Sequence, residues 1–387
     1  MRLAAILCFG ILTLWVPGRW ALSVFQVALL ALAAVRIVQR RAIGLHLVGC
    51  LLGAAVAWGG LQVAAHWTVD RVTTLDTTLN WVIDLAAFAL AADLFQNAER
   101  RERFLRYALI FTGVLAVVSI FTFLTSPVGK AFWIFDTDAE SHTLGPFVYQ
   151  NQYATFIEAI LPLAIVGVIR DRRRWVLYAA LAATLFGSVV TGGSRTGSIL
   201  CLMEILVIPV IAFARGMIDS RVLARAVLGS LAAVVVLTGV VGWDKLWKRL
   251  QEPNPYSFRK DLVLSSLSMV RDRPLTGFGL GTWPEAYPGY ARFDDGRFVN
   301  QAHNDWLQWA VEGGIPFLSL MLAIAGWSVL PAIRSLWGVG ILSMWVHAWF
   351  DYPLQQRPAL AAFFFVLLGT LAASARRAKE HLSFTGD

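Results

Sequence analysis

Charge is scarce in this chain. Only 15% of its 387 residues are Asp, Glu, Lys or Arg, against about 25% in soluble globular domains. That shortage excludes an ordinary water-soluble fold. Cysteine is scarcer still: Cys8, Cys50 and Cys201 stand far apart, each in an apolar run. Such spacing builds neither a disulfide framework nor a cysteine metal site, and the three read as inert, buried thiols. No internal repeat is visible either. What fills the chain is apolar: 57% hydrophobic residues, a mean hydropathy of +0.62, and 16 tryptophans suited to anchoring at a membrane–water interface.

The pattern predicts an all-α polytopic membrane protein. A span needs roughly 20 mostly apolar residues. About twelve stretches qualify, near 3–18, 20–38, 42–65, 79–95, 105–126, 149–169, 175–191, 196–213, 226–243, 315–333, 336–350 and 359–375. The first resembles the hydrophobic core of a signal peptide, but no small-residue cleavage site follows, so it is kept as a helix. The eleventh is short.

Basic residues then orient the bundle. The even-to-odd loops and both ends carry 19 Lys and Arg, and the opposite loops carry five (Arg19, Arg71, Lys130, Arg195 and Arg357). The positive-inside rule puts both termini in the cytoplasm. The long segment 244–314 is then extracytoplasmic. It holds nine Lys/Arg and nine Asp/Glu, so any anion site in it is local. Part of the +8 net charge is therefore a topology signal, which does not cover the nine Lys/Arg of the outer loop, and no nucleic-acid partner is expected. The chain divides into spans 1–144, spans 145–243, the outer loop 244–314, and spans plus cytoplasmic tail 315–387.

Polar groups gather on the outer side. Within the loop, residues 258–270 place Phe258, Leu262, Ser265, Ser266 and Met269 at helical spacing, predicting an amphipathic helix on the outer membrane face. "GFGLG" at 277–281 lacks the strand–helix setting of a nucleotide loop and reads as a tight backbone turn. His303, in "QAHND", sits at the start of a helix running into the tenth span. Asn304 or Asp305 is placed to cap that helix. His303 reads either as a hydrogen-bonded interfacial histidine or as a general base.

Arg195, in "TGGSRTG", lies beside apolar helices on the side disfavoured for basic residues, where a charge is costly unless it serves a site. Arg259 opens the amphipathic helix. An outward pair of guanidinium forks suits a diphosphate; the alternatives are a snorkelling charge and a solvated helix face. Asn151, in "YQNQYATF", reads as a helix cap or a site residue. Asp351, in "HAWFDYPLQQRP" with His347 and Arg357, reads as an Arg357 partner or a site residue. Glu158 lies one to two turns inside the sixth span. Asp84, Asp93 and Glu204 read as interhelical pairing groups.

"RPLTGFGLGTW" followed by "AHNDWLQWAVEGGIPF", and preceded by "YQNQYATF" and "GGSRTG", resembles the bacterial O-antigen ligase and O-antigen polymerase superfamily over roughly residues 145–358. The resemblance implies an integral membrane glycosyltransferase of the GT-C type in the bacterial inner membrane. It implies transfer of a glycan from undecaprenyl diphosphate, on the periplasmic face, to an acceptor hydroxyl on lipid A–core or a similar glycolipid or glycan. No nucleotide sugar, cofactor or metal is implied. By motif, Arg195 and Arg259 would bind the diphosphate, His303 would activate the acceptor and Asn151 would match the family's Asn at the start of its helix; Asn304 and Asp351 are supporting candidates from their place on the outer side. The residues leave three variants open: a lipopolysaccharide ligase, a repeat-unit or exopolysaccharide polymerase, and a protein O-oligosaccharyltransferase. A different class, a transporter relaying protons over Glu158, Glu204, Asp84 and Asp93, lacks the matching broken helices such proteins show.

Overall fold

The computed structural model describes residues 2–39, 46–229, 257–292, 296 and 298–383. The described helices are α1 (Arg2–Leu12), α2 (Arg19–Gln39), α3 (Leu47–Ala64), α4 (Arg71–Leu94), α5 (Ala98–Thr125), α6 (Gln150–Arg170), α7 (Trp175–Gly192) and α8 (Arg195–Ala214). They continue with α9 (Ser257–Asp272), α10 (Trp283–Ala286), α11 (Asp305–Ser335), α12 (Val339–His347) and α13 (Pro358–Ser383). The only strands among the described residues are two short ones, Lys130–Ala131 and Phe135–Asp136, paired antiparallel.

Nine of these helices are long and apolar enough to cross a membrane: α2 to α8, α11 and α13. They match nine of the twelve expected spans. Two others are shorter than the sequence suggested. The first helix has 11 residues, and α12 has nine, a rise of about 14 Å against a hydrocarbon core of about 30 Å. The span expected at 226–243 falls mostly outside the described residues.

Helix boundaries follow local chemistry. Asp70 caps α4, accepting from the Val72 and Thr73 amides at 2.8 and 3.3 Å. Gly193 ends α7 in the left-handed region, and Ser194 at once caps α8. Gly314, at φ 69° and ψ −177°, breaks α11 into a short leg from Asp305 and a longer spanning leg. Pro316 follows two residues later.

Two helices form the centre. The sides of α6 and α13 are almost wholly covered by protein, whereas α2, α3, α7 and α8 leave broad apolar faces outward. Lipid tails provide no hydrophobic drive between helices, so close packing takes over. Gly340 of α12 shows it: a Cβ there would lie 2.5 Å from the Glu158 carbonyl of α6. Arg36 pairs with Asp93 at 2.6 Å, tying α2 to α4. The other two proposed pairing groups differ from expectation: Asp84 and Glu204 are buried with no basic partner among the described residues. Of the thiols, only Cys201 is buried; Cys50 is exposed, because its helix turns that side away from the bundle.

Candidate functional site

One end of the bundle collects the ends of α3, α7 and α12 and the starts of α4, α6, α8, α11 and α13. The segment 257–292 lies over that end. Its helix α9 buries Leu262, Met269, Ser265 and Ser266. Leu262 and Met269 pack with Phe278, Trp283, Tyr287 and Val311 in a small apolar cluster of their own. The amphipathic face is thus turned onto protein, not onto lipid as the spacing alone suggested. Trp283 Nε1 donates to Ser266 Oγ at 3.1 Å, which gives one buried hydroxyl its partner.

The glycine turn makes this overlay possible. Gly277, Gly279 and Gly281 all have positive φ, and a Cβ at Gly277 would collide with the Glu312 carbonyl. Only glycine fits such a close left-handed approach. The turn is then latched to α3 and α11. Phe278 and Gly279 amides donate to the Val311 and Glu312 carbonyls at 3.0 and 2.9 Å. The buried Glu312 carboxylate accepts from Gly281 N at 2.8 Å and from Gln308 Nε2 at 2.9 Å. Gln62 of α3 donates to the carbonyls of Thr276 and Glu312 at 2.7 and 2.8 Å.

Between this overlay and the bundle lies a cavity of about 510 Å³. Its polar wall is Arg195, Arg259, Lys260, His303 and Asn304. Its apolar wall includes Ile199, Leu200, Val263, Trp349 and Phe350. Four of the residues singled out in the sequence therefore share one cavity. Lys260, counted there only as loop charge, is a third cation in the wall.

Asp351 sits behind the wall, 1% exposed, and binds the polar residues together. One carboxylate oxygen accepts the Tyr149 hydroxyl at 2.9 Å and the Asn151 amide. The other lies 3.5 Å from His303 Nδ1. An Arg259 guanidinium nitrogen is 3.7 Å away, and the Tyr352 amide donates to the carboxylate at 3.0 Å. Burial alone would raise this carboxyl. The hydrogen bond and charge of His303, with the charges of His347 and Arg259, outweigh burial and hold it below its ordinary value. Asp351 is thus a buried carboxylate facing a histidine and an arginine, not the Arg357 partner that chain proximity allowed. Burial itself lowers Arg357.

Asn151 is not a helix cap. Its carbonyl oxygen accepts from Ser194 Oγ at 2.8 Å, and its amide nitrogen also donates to Tyr149 Oη at 2.9 Å. Because Ser194 caps α8, the start of the Arg195 helix is hydrogen-bonded through Asn151 to Asp351. Tyr149 and Tyr352 stack at 5.5 Å, and His303 stands edge-on to Tyr352 at 4.8 Å. Burial first, and then the Asp351 charge, push both tyrosine hydroxyls up, and Tyr149 serves as a neutral donor to Asp351.

Asn304 caps α11, accepting from the Leu307 amide at 3.0 Å. Asp305 is buried beside it. Its amide donates to the Ala348 and Asp351 carbonyls at 2.8 and 3.1 Å, and its carboxylate accepts from Leu354 N at 3.0 Å. These bonds fasten residues 302–305 to the turn 348–354. His303 is held there at φ +52°, a left-handed conformation uncommon outside glycine and concentrated at functional sites. Among the described residues, no three His, Cys, Asp or Glu side chains gather to hold a metal ion.

Tyr149, Ser194 and Lys260 were not singled out in the sequence. Tyr149 lay inside a quoted motif and Ser194 beside Arg195. Their connection to Asp351 runs across the fold and leaves no sequence spacing to read.

The family model described as O-antigen ligase matches residues 180–322. The matched stretch contains Arg195, Arg259, His303 and Asn304; Asn151 precedes it and Asp351 follows it. No curated protein matches the chain. Over residues 180–322 this multi-pass membrane protein is thus similar to the O-antigen ligase family.

Proposed function

We propose that this chain is a ligase that moves a glycan from undecaprenyl diphosphate to a hydroxyl of a lipid A–core type acceptor. The observation that carries the reading is the shared cavity. One wall is apolar, and the other sets the cations for a diphosphate beside His303, with Asp351 behind it.

The chemistry follows from these groups. The acceptor oxygen attacks the anomeric carbon, the bond from that carbon to the diphosphate oxygen breaks, and the electron pair leaves with the diphosphate. Arg195 and Arg259, helped by Lys260, neutralise the charge growing on the leaving group, where fixed positive charge is most effective. The acceptor proton passes to His303. Its Nδ1 faces Asp351, so Nε2 is the nitrogen that takes the proton, and Asp351 stabilises the resulting imidazolium. Such a single displacement inverts the anomeric centre. The apolar wall of Ile199, Leu200, Trp349 and Phe350 suits the first prenyl units of the carrier. The basic-residue count supports placing this end of the bundle on the periplasmic side of the inner membrane.

The test is the glycan profile of a deletion strain complemented with the wild-type chain or with His303→Ala. The reading predicts loss of long glycan from the surface acceptor and accumulation of full-length lipid-linked chains, restored only by wild type. A single repeat unit left on the acceptor would indicate a polymerase instead.

A further inference from the structure

Two polar side chains inside the bundle stand outside the cavity and touch none of the reacting groups above. Glu158 lies on α6 and His347 on the last turn of α12, and both are fully buried. His347 Nδ1 is 2.8 and 3.1 Å from the two Glu158 oxygens. The Thr155 hydroxyl is a third neighbour of that nitrogen at 3.2 Å, and it donates its own proton to the main-chain carbonyl of Asn151 at 2.9 Å. Ionisable groups within a bundle are costly, and their presence is a default pointer to function.

Their location gives the function. The His347 carbonyl accepts from the Phe350 and Asp351 amides at 2.8 and 3.0 Å, so His347 starts the turn that delivers Asp351. The same helix α6 grips that turn twice. Asn151 holds the Asp351 carboxylate, and Glu158, seven residues and about 10 Å further along, holds His347. Gly340 lets α12 lie directly against the Glu158 carbonyl.

We infer that Glu158 and His347 form a positioning pair: they set the height and rotation of the 347–351 turn, and through Asp351 they orient His303. The inference rests on the transfer reading above. A displacement of about 1 Å at reacting groups costs about 100-fold in rate, so the pair acts on turnover and not on substrate binding.

The experiment is a cycle of Glu158→Gln, Asp351→Asn and both together. The purified protein is assayed with lipid-linked glycan extracted from the deletion strain and with that strain's unglycosylated acceptor. Glu158→Gln is expected to lower kcat about 10- to 100-fold, with KM for the lipid-linked glycan little changed. In the Asp351→Asn background it is expected to add less than about twofold. His347→Gln combined with Glu158→Gln keeps an amide hydrogen bond without charge, and serves if the single variant folds poorly. A full-size additional loss in the Asp351→Asn background would make the pair a purely structural contact, as would an unchanged kcat with a lowered Tm. If Asp351→Asn alone turns over like wild type, the transfer reading fails and this inference falls with it.

Discussion

Asn151 and Asp351 stand 200 positions apart, yet the amide of one donates to the carboxylate of the other. The same amide group accepts from Ser194, one residue before Arg195. A single side chain thus ties the carboxylate behind His303 to the helix start that presents Arg195. Asn151→Ala removes both connections, and Asn151→Asp also sets a second carboxylate against Asp351. Both variants are expected to lose transfer rate, by about tenfold or more for Ala. The Asp variant is expected to be the worse, because like charges at this depth repel strongly. Initial rates of the two side by side check this; equal rates would remove the amide from the account.

Asp351→Asn keeps the shape and removes the charge that supports an imidazolium. A loss of about 100- to 10,000-fold in kcat is expected, with donor KM little altered. Single-turnover measurement with the extracted donor reads this directly.

The same substitution has a pH signature in stability. The folded pKa of Asp351 lies below its ordinary value, so its ionisation stabilises the fold. That contribution is complete above the unfolded pKa of about 3.9 and is lost as pH falls through the folded value. The Tm gap between wild type and Asp351→Asn is therefore expected to be constant near neutrality and to close below about pH 4. Thermal scans in detergent across that range test the sign.

Arg195→Lys and Arg259→Lys preserve charge but lose the planar fork. Each is expected to weaken donor binding and slow transfer, with Arg195→Lys leaving Tm near wild type. Arg259→Lys also disturbs the contact with Asp351 at 3.7 Å, so its kcat loss is expected to be the larger. Steady-state kinetics with varied lipid-linked donor separate the two effects.

Gly277→Ala tests the overlay. The position has φ +64° and no room for a Cβ against Glu312. A cost of about 1–3 kcal/mol is expected from the backbone strain alone. Limited proteolysis within 257–292, together with Tm, reports whether the segment has loosened.

Much of this arrangement was legible in the chain, because membranes impose a simple rule: long apolar runs become helices. Nine spans follow directly from that. The eleventh stretch, short already in the sequence, is a nine-residue helix, because hydropathy does not distinguish a short helix buried among α6, α8 and α11 from one that crosses. Arg195 stood out because a charge beside apolar helices is expensive; Arg259, His303 and Asn304 stood out by their places at helix starts in the outer loop and in the motifs that resemble the family's. What could not be read were relationships across the fold. Asp351 offered Arg357 as a neighbour six residues away, while its actual partners come from residues 149, 151, 259 and 303. Likewise, nothing in the sequence pairs Glu158 with His347, 189 positions away; the packing of α6 against α12 does.

The central claim is that His303 takes the acceptor proton. The most direct measurement is transfer of extracted lipid-linked glycan to its acceptor by purified wild-type and His303→Ala protein at equal amount and equal Tm. The account predicts that the variant still binds the lipid-linked glycan but forms no product above background. Product formed by His303→Ala at the wild-type rate would contradict it.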